Sequence, residues 1–333
     1  MPPLNPDDDP DGDPATADQV QAPPYRAEAP IGRGAGRYAP SPTSDLHLGN
    51  LRTGLLAWLF ARSTDRDFLL RVEDLDQARV AAAPEVALRQ LADLAALGLD
   101  HDRDIWWQSE RNPVYAQAAG RLPTYECFCT RRDIAEASQA PHDDGYRPYP
   151  GTCRNLSEDE RARRRRERPA ALRVRVPSGT VCTVQDRLHG EFSGPVDDFV
   201  LRRNDGTWAY NLAVVVDDLA SGVDQVIRGD DLLSSAPRQA WLAGQLGGKQ
   251  PVYAHVPLVV NAEGRRLAKR DGAVTMRELG VDGGRMLGLL GGSLGIAAPG
   301  ERVSAEVLLR RFDPDALPRT PWVVEPGLLT DRN

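Results

Sequence analysis

The stretch that decides the fold is residues 37–50, which reads RYAPSPTSDLHLGN. We predict a short strand over Arg37–Pro42 that runs into a loop bounded by prolines, whose rings fix φ. A helix is predicted directly after the loop, over Leu48–Arg62. Apolar residues recur there at helical spacing, at Leu51, Leu55, Trp58 and Leu59.

The residues that follow extend this pattern into a parallel sheet. Phe68–Val72 is predicted as a buried strand, and strand, helix and strand within forty residues make a βαβ unit. A second helix is predicted over Pro84–Leu97, with Gly98 just past its end. Further apolar runs suit strands that are covered on both faces. These runs are Asp198–Arg203, Tyr210–Val216, Gln225–Arg228 and Val252–Asn261.

Composition excludes several classes of protein. The 333 residues are 41% hydrophobic and 27% charged, as in an ordinary soluble protein with a sizeable core. No run approaches the roughly 20 apolar residues of a membrane span, and the N-terminus lacks a secretory signal, so we expect no membrane partner. Four cysteines are too few for a disulfide scaffold, so a reducing cytoplasm is the expected compartment.

The net charge of −7 says little about partners. Residues 1–34 hold seven acids and two arginines, a net charge of −5, which leaves −2 for the rest of the chain. A nearly neutral body is compatible with RNA binding, because a local basic face matters more than the sum.

Changes in amino-acid composition along the chain divide it into five segments. We predict a disordered acidic leader over 1–34, because this stretch has too little apolar surface to fold. The other segments are the two halves of the parallel-sheet domain (35–120 and 196–262), an insertion (121–195) with a strand over Leu172–Val176, and a basic loop with short helices (263–333).

Two separate elements have the residue types that handle phosphate. The predicted helix begins beside His47, Gly49 and Asn50, and free N–H groups at a helix start attract phosphate, which His47 and Asn50 can also contact as donors. The segment 264–272 reads GRRLAKRDG, and such a basic loop can close on a triphosphate and stabilise developing charge.

Five ordered blocks of the sequence resemble the class I aminoacyl-tRNA synthetases in their glutamyl form. The blocks are 37–50, with a HIGH-like end at His47–Asn50, 70–76 (LRVEDLD), 209–218 (AYNLAVVVDD), 226–233 (VIRGDDLL) and 267–270 (LAKR), the counterpart of the KMSKS loop. The resemblance spans roughly residues 36–320 and implies an α/β fold with a Rossmann-type parallel sheet, a zinc-binding insertion and a short helical C-terminal portion.

The length of the chain indicates the branch of this family. A glutamyl-tRNA synthetase has a large anticodon-reading domain after the KMSKS loop, whereas only 62 residues follow Asp271. The chain is therefore similar to the truncated paralogues, the glutamyl-Q tRNA(Asp) synthetases. This resemblance implies a monomeric ligase that activates L-glutamate with ATP and attaches it to the queuosine base of tRNA(Asp).

The resemblance also implies which residues bind each substrate. Residues implied for glutamate are Arg37, Ala39, Ser41, Glu73, Tyr210 and Arg228. Residues implied for ATP are Thr43, His47, Gly49, Asn50, Lys269 and Arg270, of which His47, Asn50 and Lys269 are the expected catalytic group, with Mg²⁺ as cofactor. By charge, arginines suit carboxylates and Glu73 suits an ammonium group. Arg228 has the alternative of an ion pair with Asp217 or Asp230.

The cysteines of the insertion predict a metal site. Cys127 and Cys129 form a C-x-C pair, and Cys153 follows across a loop, which suits one structural Zn²⁺ that needs a fourth ligand. The family resemblance implies Tyr149 as that ligand. His142 is the alternative ligand that zinc chemistry favours, and Tyr146 is a minor candidate. If no metal binds, the three cysteines are unrelated buried residues.

Other features leave alternatives open. Arg161–Arg168 contains six arginines after an S-x-x-E capping box, and the helix that this predicts is either solvated or an RNA contact. Val214 and Ala268 depart from the family pattern, where some members have asparagine and serine. These departures keep open a catalytically silent RNA-binding paralogue. The other alternative is a minimal glutamyl-tRNA synthetase that charges the tRNA 3′ end and recognises tRNA only by its acceptor end.

Overall fold

The strands and helices of the chain are known from a computed structural model that describes residues 33–80, 85–130, 132–134, 148–267 and 275–324. The strands are β1 (Ala35–Tyr38), β2 (Asp67–Val72), β3 (Trp106–Trp107), β4 (Thr124–Cys127), β5 (Ala171–Val174), β6 (Val181–Asp186), β7 (Gly190–Pro195), β8 (Val200–Arg202), β9 (Val223–Gly229), β10 (Val252–Val256), β11 (Val259–Val260) and β12 (Trp322–Val323). The helices are α1 (Leu48–Ser63), α2 (Gln77–Val80), α3 (Val86–Ala96), α4 (Asn112–Gly120), α5 (Glu158–Glu167), α6 (Tyr210–Ser221), α7 (Ala236–Gln245), α8 (Met276–Leu279), α9 (Gly283–Ser293) and α10 (Ala305–Arg311).

The central sheet has the strand order β3-β2-β1-β9-β10-β6-β7. All neighbouring strands are parallel except β6 and β7, which form an antiparallel hairpin. The chain runs outward in one direction from β1 to β2 and in the other direction from β9 to β10. The strand order therefore reverses between β1 and β9, and such a point opens a crevice at the carboxyl ends of the strands.

The first βαβ unit has the predicted form. Helix α1 begins at Leu48, as predicted, and packs on β1, β2 and β9 on one side and on α9 and α10 on the other. The helix is buried on more than one face because its own leucines point to several sides. These are Leu48, Leu51, Leu55, Leu56 and Leu59. Arg52 is only 2% exposed and donates to the carbonyl oxygen of Pro257 (2.8 Å) and to Ser293 Oγ (3.1 Å). Helix α1 is thus the centre of the main core.

One predicted strand is wrong. Tyr210–Val216 is the beginning of helix α6, which ends with Gly222 in the left-handed conformation at φ 74°. The run is apolar on every side because the helix is buried between α4 and α7 as well as against the sheet. A helix without a polar face has no period that separates it from a buried strand.

The insertion is divided between two sheets. Strands β4, β5 and β8 form a three-stranded antiparallel sheet of their own. The hairpin β6–β7 falls within the expected insertion 121–195, yet β6 pairs with β10 of the central sheet through Asp186 and Tyr253. The predicted strand Leu172–Val176 corresponds to β5, and Val252–Asn261 is two short strands separated at Pro257.

Several predictions of the sequence lie outside the described residues. These are most of the leader 1–34, and the residues His142, Tyr146, Ala268, Lys269 and Arg270. Among the helices that are described, none has the length and apolar character needed to cross a membrane.

Close packing of α9 yields a test of the fold. A Cβ added at Gly288 would overlap the carbonyl oxygen of Glu301, whereas a Cβ added at Gly244 in α7 meets no atom within 4 Å. We expect Gly288→Ala to lower the free energy of unfolding by about 1–3 kcal/mol, because the backbone must shift. Gly244→Ala is the matched control and should be neutral or stabilising by up to about 1 kcal/mol. Urea denaturation measures both, and equal stability of the two variants would contradict this account.

Candidate active site

A cavity of about 450 Å³ lies at the carboxyl ends of β1 and β9, where the strand order reverses. Every described residue that was expected to bind glutamate or ATP lines it. These residues are Arg37, Ala39, Ser41, Thr43, His47, Gly49, Asn50, Glu73, Tyr210 and Arg228. The structure therefore brings together parts of β1, α1, β2, α6 and β9 that are far apart in the sequence.

His47 caps the first turn of α1. Its Nδ1 accepts hydrogen bonds from the backbone N–H groups of Gly49 (3.0 Å) and Asn50 (3.3 Å), and Asn50 Oδ1 accepts from the backbone N–H of His47 (3.3 Å). A nitrogen that accepts carries no proton, so these bonds assign the ring proton to Nε2. The capping box leaves the Nε2–H of His47 and the amide nitrogen of Asn50 as donors.

The environment of His47 keeps the ring uncharged. Burial, and after it the charge of Arg266, lower the pKa of His47 from 6.5 to about 4. Gly49 fits closely below the ring, since an added Cβ would lie 2.9 Å from His47 Cε1. The site thus offers phosphate a neutral donor together with the N-terminus of a helix.

A buried group of charges forms the wall beneath the cavity. Arg37 donates through Nε and Nη2 to the two carboxylate oxygens of Asp218, at 3.2 Å each. Arg71 donates to Asp218 Oδ1 (2.7 Å) and to Glu73 Oε1 (3.3 Å). Burial raises the pKa of Glu73, and the charges of Arg71 and Arg37 oppose this shift. The positive charge of Arg37 is therefore balanced directly by a carboxylate.

Arg228 lies in a different electrostatic environment. It is 5% exposed, and its acceptors are His255 Nε2 (2.9 Å), Gln239 Oε1 (2.6 Å), the Leu232 carbonyl oxygen (3.3 Å) and, at the 3.5 Å limit, the Tyr210 hydroxyl. All of these acceptors are uncharged when His255 is neutral.

The alternative of an ion pair between Arg228 and Asp217 or Asp230 is wrong. Asp217 instead accepts from Gln108, Arg111 and Tyr115 on the other side of α6. Within the described residues, no carboxylate oxygen lies within 4.0 Å of the guanidinium of Arg228.

The described ends of the basic loop lie at this cavity. Arg266 lines it and forms an ion pair with Asp231 (2.6 Å), while Leu267 is buried in the main core. On the far side of residues 268–274, Thr275 forms a backbone bridge with His47. The roles expected of Lys269 and Arg270 stay predictions.

Some residues of the site have only a weak signal in the sequence. Asp218 follows Asp217 at the end of an apolar run, His255 is a single polar residue inside another, and the partners of both are remote in the chain. Gln90 on α3 donates to the carbonyl oxygens of Ser41 and Ser44 and so holds the loop after β1. A polar residue inside an apolar run was the one available clue to His255.

The cysteines of the insertion form a cluster. The sulfur atoms of Cys127, Cys129 and Cys153 all lie within 4.8 Å of one another. The Tyr149 hydroxyl lies 3.4 Å from Cys127 Sγ and 3.6 Å from Cys129 Sγ, and it accepts from the Cys153 backbone N–H at 2.8 Å. Four side chains that the sequence grouped together are thus adjacent, and three of them are thiols.

Comparison with known proteins connects this geometry to a family. The family model for tRNA synthetases class I (E and Q), catalytic domain, matches residues 35–288. A glutamyl-Q tRNA(Asp) synthetase of Nocardia farcinica is 57% identical over 311 residues, which cover 91% of this chain and 97% of that protein. The chain belongs to the glutamyl-Q tRNA(Asp) synthetase family. It is accordingly a ligase of the class I aminoacyl-tRNA synthetase type.

Other relatives agree with this assignment. A glutamyl-Q tRNA(Asp) synthetase of Deinococcus radiodurans is 47% identical over 82% of this chain and 94% of its own length. Among solved structures, a glutamate tRNA ligase from Elizabethkingia meningosepticum in complex with its amino acid is similar, with a TM-score of 0.74 and 25% identity. That similarity covers 90% of this chain and 68% of the ligase.

The structure also places Val214 and the arginine-rich helix α5, two features that the sequence singled out. Val214, one helical turn after Tyr210, is 1% exposed in an apolar cluster and does not line the described cavity. Helix α5 has the predicted capping box, in which Ser157 accepts from the Glu160 backbone N–H. Arg165 is held by Glu126 and Glu158, and no residue of α5 is buried.

The protonation state of His47 is open to direct measurement. Because its pKa is lowered from 6.5 to about 4, the unfolded chain takes up this proton first as the pH falls. The contribution of His47 to stability is complete above about pH 7 and is lost as the pH falls from 6.5 towards 4. We expect the ring resonances of His47, assigned by comparison with His47→Asn, to titrate near pH 4 in an NMR experiment. A midpoint near 6.5 would contradict the neutral donor.

Proposed function

We propose that this chain activates glutamate with ATP and transfers it to the queuosine base of tRNA(Asp). The observation that carries the proposal is one cavity that contains both a helix start at His47, which suits phosphate, and a buried arginine, Arg228, for which the described residues provide no carboxylate partner. Two relatives match 91% and 85% of this chain, and their names support the same reaction.

Glutamate binding follows from the distribution of charge. A buried guanidinium without a counter-charge is costly, and a substrate carboxylate offsets that cost while it gains charge-assisted hydrogen bonds. We therefore assign a glutamate carboxylate to Arg228 and Tyr210, and the ammonium group to Glu73. Arg37, Ala39 and Ser41 complete the pocket at the end of β1.

ATP binding follows from the start of α1. The lining of the cavity includes Thr43, His47, Gly49 and Asn50. The Nε2–H of His47, the amide of Asn50 and the backbone N–H groups at the helix start are donors that suit the phosphates. Lys269, Arg270 and Mg²⁺ are proposed to neutralise charge on the triphosphate. The glutamate α-carboxylate attacks the α-phosphorus, and pyrophosphate leaves with the electron pair of the broken P–O bond. No general base is needed, because the attacking carboxylate is already ionised.

A second cavity supports the transfer step. It has a volume of about 720 Å³, shares Ser41, Glu73 and Tyr210 with the first cavity, and extends to the insertion. A modified base that entered there would meet the activated carbonyl of glutamyl-adenylate beside the shared residues. Its nucleophilic group attacks this carbonyl and gives up its proton to solvent, and the bond between the carbonyl carbon and the phosphate oxygen breaks so that AMP leaves.

Two experiments in sequence test the proposal. We expect glutamate-dependent ATP/pyrophosphate exchange without tRNA, followed by labelling of tRNA(Asp) that requires queuosine. Labelling of queuosine-free tRNA(Glu) would instead support the minimal synthetase, and absence of exchange would support the silent paralogue. Arg228→Gln should abolish most exchange at low glutamate, whereas Arg187→Gln is a matched control, since Arg187 is an exposed partner of Asp315.

We also propose that the cysteine cluster holds one Zn²⁺. Three thiolates and one oxygen are a suitable donor set for tetrahedral zinc, and Zn–S bonds of about 2.3 Å separate sulfurs by roughly 3.8 Å. Cys129 Sγ and Cys153 Sγ lie 3.6 Å apart. With Tyr149 as the fourth ligand, the metal would cross-link β4 to the loop before α5 and stabilise the insertion.

Metal analysis tests the zinc proposal. The purified chain should contain one Zn²⁺, which Cys153→Ala loses and Cys182→Ala keeps, because Cys182 lies on β6 away from the cluster. Tyr149→Phe should weaken zinc binding about 10–100-fold, while His142→Ala should leave it unchanged. The reverse result for the last two variants would make His142 the fourth ligand, and a zinc-free wild-type chain would contradict the site.

A further inference from the structure

We propose that His255 is a positioning residue that holds Arg228 through an uncharged acceptor and keeps the carboxylate that supports its own ring, Asp186, one imidazole ring away from Arg228. The guanidinium charge then stays available to the carboxylate of the substrate. The inference rests on the proposed glutamate-binding role of Arg228 and assigns a task to two buried residues outside the expected site.

The geometry links three strands of the central sheet. His255 on β10 and Arg228 on β9 are register partners. Arg228 Nε donates to His255 Nε2 at 2.9 Å, and His255 Nδ1 lies 2.6 Å from Asp186 Oδ2 on β6. His255 is fully buried, and its ring stacks on Tyr253 with centroids 5.5 Å apart. The chain Asp186–His255–Arg228 therefore runs from the interior of the sheet to the cavity.

The hydrogen bonds determine the tautomer of His255. Because Nε2 accepts from Arg228, the ring proton is on Nδ1 and is donated to Asp186. Asp186 also accepts from the backbone N–H groups of Leu188, His189 and His255. These donors fix the carboxylate, the carboxylate fixes the ring, and the ring presents a lone pair to Arg228 at a set position.

The uncharged acceptor matters because the neighbouring arginine is held differently. Arg37 contacts both oxygens of Asp218 directly, so its charge is balanced within the protein. A carboxylate in the place of His255 would do the same to Arg228 and would repel a substrate carboxylate at short range. The second buried acceptor of Arg228, Gln239 Oε1, is also neutral, and its amide nitrogen donates to Asn211 Oδ1 at 3.0 Å.

An isosteric pair of variants tests the role of charge. His255→Gln places a neutral amide near the position of Nε2, whereas His255→Glu places a carboxylate there with almost the same shape. In glutamate-dependent ATP/pyrophosphate exchange, we expect His255→Gln to keep the KM for glutamate within about threefold of wild type. His255→Glu should raise it at least about tenfold, with the KM for ATP and kcat changed far less. His255→Asn, which reaches only the position of Nδ1, should also raise the KM for glutamate.

A second pair of variants, at Gln239, keeps the inference testable if a His255 variant does not fold. Circular dichroism and thermal unfolding would detect such a loss of folding. Gln239→Glu brings a carboxylate to Arg228 from α7 and should raise the KM for glutamate in the same way, whereas Gln239→Met, which removes the acceptor without adding charge, should raise it less. If the wild-type chain shows exchange, the proposed function stands. Equal KM values for glutamate in the carboxylate and neutral variants at both positions would then overturn this inference alone. Absence of exchange in the wild-type chain would overturn both.

Discussion

The contact of Asp218 with Arg37 and Arg71 is the constraint on which the site depends. It joins the end of α6 to β1 and β2, three elements that the chain visits at widely separated points. Burial of these charges is tolerated because each has a partner with matched geometry. The same contact orients the end of β1, and with it the loop that leads to His47 and the start of α1.

The charges of the cavity divide into a balanced part and an unbalanced part. Beneath the cavity, Arg37, Arg71, Asp218 and Glu73 compensate one another. Elsewhere in the lining of the cavity, Arg228 has uncharged acceptors, and His47 is a neutral donor. Attraction for anions is thus concentrated at two places that line the same cavity, one suited to an amino-acid carboxylate and the other to phosphate.

Local signals were sufficient for part of this structure. The prolines after β1, the capping His47 and the leucines of α1 lie within thirty residues, so their pattern predicted the first βαβ unit. The C-x-C pair predicted the cysteine cluster for the same reason. Helix α6 was missed because a buried apolar run has no distinguishing period. The contacts of Asp218 with Arg37 and of His255 with Arg228 depend on the order of the strands in the sheet. A local sequence pattern does not contain that order.

The cysteine cluster has a consequence for how the two halves of the reaction are separated. Cys127 and Cys129 line the second cavity, and neither is among the described residues that line the first. Under the proposed function, loss of the arrangement of these thiols would change the wall of the cavity assigned to the transfer step, while adenylate formation would take place in a cavity whose described lining does not include them. Under the same proposal, a chain with a damaged cysteine cluster would keep adenylate formation and lose transfer, so the two steps would fail separately.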